Sequence, residues 1–157
     1  MGNLHDGHIA LLNKARTLAE RVMLSVFVNP VQFNSPEDYT NYPRTRAEDL
    51  RLAEYHGVDY VFLPKTEDIY PPTEHPILID VPGLTDLFCG KYRPGHFQGV
   101  LRIINILFNL IQPAYAVFGE KDFQQLYLIR MLTQQLHMNT QIISVPTVRA
   151  ETGLALS

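Results

Sequence analysis

The sequence predicts an α/β fold: a parallel sheet with helices on both faces. Three observations carry this. Short β-branched apolar runs at residues 22–28, 60–64, 114–118 and 141–145 alternate with stretches of helical period. Polar turns rich in Gly, Asn and Pro follow those runs, at Asn29-Pro30-Val31-Gln32-Phe33, Gly119-Glu120-Lys121-Asp122 and Pro146-Thr147-Val148-Arg149. In such sheets the turns at the C-terminal ends of strands are where ligands sit. Finally, 157 residues with 46% hydrophobic and 18% charged content suit one domain with a real core.

The elements follow in order. Met1-Gly2-Asn3-Leu4-His5-Asp6-Gly7-His8 is a glycine-bearing turn feeding a helix over about residues 7–20, where Ile9, Leu12 and Ala19 recur on one side. Asn29-Pro30 ends the first strand, and a polar, proline-punctuated loop runs over 31–44. Thr45-Arg46-Ala47-Glu48 reads as a capping box opening a helix that stops at Gly57. After the strand at 60–64, residues 65–96 are irregular, with a short strand candidate at 77–81. A helix over 98–111 is stopped by Pro113, a strand at 114–118 leads to the Gly119–Asp122 turn, and a helix over 123–137 precedes the last strand. A doubly wound fold places a strand before its first phosphate-binding helix, whereas this sequence starts on that helix and closes on Leu154-Ala155-Leu156-Ser157 without a stop signal. The flanks of the domain are therefore expected to lie outside the sequence, and a gap is expected in the sheet beside the first helix.

Composition excludes several classes. Net charge is −3 with no basic block, so no nucleic-acid surface is expected. The most apolar stretch, 100–111, is broken by Arg102, Asn105 and Asn109 and is too short to span a bilayer. The single cysteine, Cys89, excludes an internal disulfide, fits a reducing compartment and reads as a small half-buried apolar residue. With no secretory signal, the expected location is cytoplasmic.

The chemistry concentrates in a few residues. A helix start offers unpaired N–H groups and the positive end of the macrodipole to phosphate. His5 and His8 can donate to phosphate oxygens there, and Gly7 admits close approach; two surface histidines beside a cap is the bland alternative. Lys121, a compact cation, suits phosphates and a pyrophosphate leaving group. Asp122 could cap the following helix or face a ribose or a magnesium ion. Gln32 and Gln125 carry neutral amides that can donate to a carboxylate and accept from a hydroxyl. Asn29 and His96 are second-rank candidates, whereas His56, His75 and His137 read as solvent-facing.

These blocks resemble the pantoate–β-alanine ligase (pantothenate synthetase) family, within the nucleotidylyltransferase superfamily, and the resemblance implies a Rossmann-like fold of the nucleotidylyltransferase type. The resemblance runs through the opening eight residues, Phe27-Val28-Asn29-Pro30-Val31-Gln32-Phe33, Tyr42-Pro43-Arg44-Thr45, Arg93-Pro94-Gly95-His96-Phe97-Gln98-Gly99-Val100, Phe118 to Leu126, Val145 to Arg149 and Gly153 to Ser157. It implies a two-step reaction. Pantoate is adenylated by ATP with release of pyrophosphate, and β-alanine then displaces AMP to give pantothenate. It implies His8, His5 and Lys121 as catalytic. The ATP site would comprise Met1, Gly2, Asn3, Leu4, His5, Asp6, Gly7, His8, Gly119, Glu120, Lys121, Asp122, Val148, Leu156 and Ser157. Gln32, Gln125 and Asn29 would bind pantoate and β-alanine. His8 is the family's usual proton donor, although a carboxylate nucleophile needs no base and an electrostatic role suffices. ATP is expected with Mg2+, its protein ligands unspecified, and the enzyme is expected as a homodimer. Residues 1–157 would be the N-terminal nucleotide- and pantoate-binding domain, without the family's first strand and its C-terminal lid, and this sequence alone is expected to turn over negligibly. Alternatives are another adenylyltransferase of the superfamily or a truncated, non-catalytic module.

Overall fold

In the computed structural model, which describes residues 2–72 and 75–156, strands and helices alternate as expected, and all strand pairing is parallel. Helix α1 (Asp6–Arg16) precedes strand β1 (Met23–Ser25), which pairs with β2 (Tyr60–Phe62) in the register Met23↔Tyr60 to Ser25↔Phe62. Strand β3 (Tyr115–Gly119) pairs with β4 (Gln141–Val145) in the register Tyr115↔Gln141 to Gly119↔Val145. Among the described residues the two pairs do not join, so the sheet is interrupted between β1 and β3. A largely apolar slot of about 690 Å³ occupies the interruption, lined by Leu11 and Leu12 of α1, Leu24 of β1, Ala116 and Val117 of β3, and Leu107.

The loop after β1 contains a helix beyond those expected, α2 (Pro36–Asn41), with Ser35 accepting from the Glu37 and Asp38 amides and Pro36 at the first helical position. Helix α3 (Arg46–Tyr55) follows, and Gly57 at φ 71° ends it as expected. Thr45 makes no cap bond, because its hydroxyl donates to Asp49 instead. After β2 come two short helices, α4 (Thr66–Ile69) and α5 (Cys89–Tyr92). The expected strand at 77–81 does not form: Ile79 and Val81 bury against the helical core, and no strand lies alongside to bond them. Cys89 is exposed, not half-buried.

Helix α6 (His96–Ile111) and helix α7 (Phe123–Gln135) supply the core cluster of Phe97, Leu101, Leu128 and Leu132. Burying such side chains contributes on the order of 1.5–3 kcal/mol each. Gly99 makes a close approach possible: a Cβ there would stand 2.5 Å from the Val31 carbonyl oxygen, so α6 can lie directly on the Pro30–Gln32 turn only with glycine at this position. No helix among the described residues is long and apolar enough to cross a membrane.

Candidate active site

The first helix is capped by its own histidines. The Gly7 amide donates to His5 Nδ1 at 3.1 Å, and the His5 amide donates to His8 Nδ1 at 3.3 Å. A ring nitrogen that accepts carries no proton, so each imidazole keeps its single N–H at Nε2. The rings lie 4.1 Å apart. Burial, then the neighbouring His5, pushes the His8 imidazole down to about 4, against a partial pull upward from Asp49. Near neutral pH, His8 is thus a neutral hydrogen-bond donor rather than a stored acid.

Ahead of that cap, the turn is clamped from below. Asp49, buried in α3, accepts from the Asn3 amide at 3.0 Å and the Leu4 amide at 2.8 Å. The clamp holds Gly2 at φ 96° and Asn3 at φ 54°. The amides of Asn3, Leu4, His5 and Gly7 are therefore all engaged within the protein. Beside these engaged amides stand the imidazole N–H groups of His5 and His8. Asp6 is exposed in the first turn, where its charge favours the helix dipole.

A second turn, Pro30–Gln32, carries Gln32 and is anchored on three sides. Asn29, only 1% exposed, donates to Gln32 Oε1 and to the Gly99 carbonyl, each at 3.1 Å, while Tyr70 donates its hydroxyl to Asn29 Oδ1 at 2.8 Å. His96 is buried at the start of α6. Arg93 can only donate, so His96 Nε2 accepts from it at 3.2 Å and Nδ1–H donates to the Gln32 carbonyl at 2.9 Å. Burial pushes the His96 imidazole down, consistent with this neutral form. Neither ring nitrogen is left for a ligand, so His96 holds the turn.

The third turn follows β3. Glu120–Asp122 is a single 3-10 turn, with Lys121 Nζ 3.5 Å from Asp122. Asp122 occupies the cap position of α7 but makes no cap bond, which leaves its carboxylate for a nucleotide or a cation. Lys121 adds, as the smallest contribution, to the field that lowers His8. Gln125 rises from the first turn of α7. With Leu4, His8, Asn29 and Gln32 it lines the cavity between the half-sheets. Beyond β4, an Arg149↔Ala155 bridge folds the chain back and the Leu156 amide donates to the Val148 carbonyl, so these two expected nucleotide contacts are neighbours. The expected contacts Met1 and Ser157 lie outside the described residues. His75 and His137 are exposed as expected, whereas His56 is half-buried against Tyr55.

A model of the family described as pantoate-beta-alanine ligase matches residues 1–157. The chain belongs to this family. It is 53% identical to a pantothenate synthetase from Vibrio parahaemolyticus, over all of this chain and 52% of that one. The crystal structure of pantothenate synthetase from Thermus thermophilus superposes with a TM-score of 0.95 at 47% identity, covering all of this chain and 57% of that one. The Francisella tularensis pantoate-beta-alanine ligase, solved with beta-gamma ATP and beta-alanine, superposes at 0.97 with 41% identity, over all of this chain and 60% of its own length. The chain thus spans about half the length of the curated relative it matches. Asp49 and Tyr70 carry no motif of their own, and the sequence does not single them out. Their partners lie 46 and 41 residues away, and no local pattern announces them.

Proposed function

We propose that this chain is the nucleotide- and pantoate-binding domain of a pantothenate synthetase. The ligase would condense pantoate with β-alanine at the expense of ATP, through a pantoyl adenylate. The observation that carries the reading is that His8, Gln32 and Gln125 line one cavity, in a chain matched along its whole length by the family. The Francisella relative is complexed with an ATP compound and beta-alanine, which supports the nucleotide and the amine.

The residues present suit each step. Gln32 and Gln125 would hold pantoate by its carboxylate and hydroxyls, with one carboxylate oxygen aimed at the α-phosphorus. That oxygen forms the new P–O bond as the bond to the bridging oxygen of the β-phosphate breaks, and pyrophosphate leaves. His5 and His8 would meet the phosphate oxygens with neutral N–H donors, and Lys121 would neutralise the departing pyrophosphate. The β-alanine amine then attacks the acyl carbon, loses a proton and expels AMP. Little bond-making falls to the protein, so positioning and charge carry the rate. Among the described residues no group of three or more His, Cys, Asp or Glu could hold a metal. We therefore propose that Mg2+ enters on the ATP phosphates, with Asp122 the carboxylate available to it.

The interruption of the sheet supports assigning residues 1–157 as one domain of a larger ligase, in which a further parallel strand fills the slot between β1 and β3. A cytoplasmic homodimer completes the proposal. Leu87, Phe88, Tyr92, Phe123 and Tyr127 are exposed apolar residues of two adjacent segments joined by Gln124, which donates to the Leu87 carbonyl. Pyrophosphate release measured with ATP and pantoate, then with β-alanine added, tests the function. Release without pantoate, or with other acids in its place, would point to a different adenylyltransferase.

A further inference from the structure

Arg93-Pro94-Gly95-His96 is written as a type II turn, with proline at its first corner and glycine at its second. Gly95 takes the left-handed corner at φ 79° and ψ −9°, and the His96 amide closes the turn on the Arg93 carbonyl at 3.0 Å. Asn34 donates to the Pro94 carbonyl, so this turn is tied to the chain just beyond Gln32. The His96 ring, only 6% exposed, joins the two turns. Its partners admit one neutral tautomer. Arg93 only donates, to Nε2 at 3.2 Å, and the Gln32 backbone carbonyl only accepts, from Nδ1–H at 2.9 Å. The Pro30–Gln32 turn is thus pinned to α6 at both ends: Asn29 grips the Gly99 carbonyl before it, and His96 grips its last peptide.

We propose that His96 is a positioning residue of the acid subsite, which holds the Pro30–Gln32 turn on α6 through its Nδ1–H. This rests on the reading above that the turn belongs to the pantoate side of the site. The group His96 holds is a backbone peptide, so it acts on substrate only through the turn. Arg93 serves the same end from behind: by donating to Nε2 it keeps the ring proton on the nitrogen that faces the turn.

Two substitutions separate the halves of the ring. Glutamine places its amide where Nε2 stands, so His96→Gln keeps a partner for Arg93 and loses the donor to the turn. Asparagine places its amide where Nδ1 stands, so His96→Asn keeps the turn donor and loses the partner for Arg93. Both, with wild type and Gln32→Ala, are measured in the full-length ligase carrying this sequence for the KM of pantoate, the KM of ATP and the melting temperature. His96→Gln should raise the pantoate KM roughly three- to tenfold, the effect of one neutral hydrogen bond, and leave the ATP KM within about twofold. His96→Asn should restore the pantoate KM to within about twofold of wild type, whatever its melting temperature. Equal pantoate KM values in the two His96 variants, or the reverse order, would show that His96 merely packs the helix start and would overturn the proposal. A raised pantoate KM in His96→Asn is enough by itself to do so. Should Gln32→Ala leave the pantoate KM untouched, the assignment of the turn fails and this inference with it; should Gln32→Ala raise it while His96→Gln does not, this inference alone fails.

Discussion

Two turns, one after β1 and one after β3, are built on opposite plans. The Gln32 turn is tied by Asn29, His96 and the close approach of Gly99, with Tyr70 behind them. The Gly119–Asp122 turn, among the described residues, is tied by no side-chain hydrogen bond to another element, and Lys121 has only the neighbouring Asp122 at 3.5 Å. On the proposed function, the contrast would follow from what each side must recognise. A small acid with hydroxyls is distinguished by direction, and direction requires donors held in place. A polyphosphate is recognised chiefly by charge, which acts over longer distances and tolerates a mobile ammonium. On the proposed assignment, the acid subsite would be specified by geometry and the phosphate subsite by field.

The comparison can be broken at several points. The largest effect is expected from Lys121→Ala in the full-length ligase. Removing one preorganised cation should cost at least ~2–3 kcal/mol of transition-state stabilisation, read as pyrophosphate release. A rate within about threefold of wild type would remove Lys121 from the phosphate side. Gln32→Ala and Gln125→Ala come next, at roughly 1–3 kcal/mol each, visible in pantoate kinetics with ATP affinity nearly untouched. Loss of ATP binding with pantoate intact would mean that the two subsites are exchanged.

Asp49→Asn sharpens the contrast from a third side. One amide oxygen cannot replace two carboxylate oxygens, each receiving a backbone N–H. The variant should lose about 1–2 kcal/mol of stability by thermal melting, with a higher KM for ATP than for pantoate. An unchanged melting temperature would show that the turn holds without its clamp. The smallest effect is a pH dependence. His8 is held near 4 in the folded protein, below its ordinary 6.5, so the unfolded chain takes up its proton first as pH falls. Stability should be undiminished above about 6.5 and decline from there toward about 4, and His8→Gln should flatten that slope in melts across the range. Asp59 declines lower down: the Val22 amide, then Arg16, hold its carboxyl at about 2, so its contribution fades only as pH drops below the ordinary 3.8.

Periodicity in the sequence locates the helices and strands that face a core. Residues 141–145 form β4 with the expected ends, and α6 and α7 follow the apolar repeat. What escapes it is decided by distant partners. Thr45 carries a sound capping-box pattern, yet Asp49 takes its hydroxyl, because that carboxylate also holds a turn 46 residues upstream. Residues 77–81 form a short apolar run that reads as a strand, but a strand needs a neighbour, and Ile79 and Val81 pack instead against the helical core. Helix α2 is written in Ser35-Pro36-Glu37, a cap signal that the surrounding proline-punctuated loop disguises. Resemblance supplied the roles of His8, Gln32 and Gln125; the polarity of their hydrogen bonds needed the fold.

The imidazole cap on α1 sets stability and catalysis against each other. Serine or aspartate at a helix start is ordinarily the better cap, and aspartate also suits the dipole. A His5→Asp protein should therefore melt higher, and it should fail to admit a triphosphate, since a fixed negative charge would replace a neutral donor. Selection for heat resistance alone would drift toward that substitution. On the proposed function, the histidine at this position would keep a weaker helix start in exchange for a donor to the triphosphate.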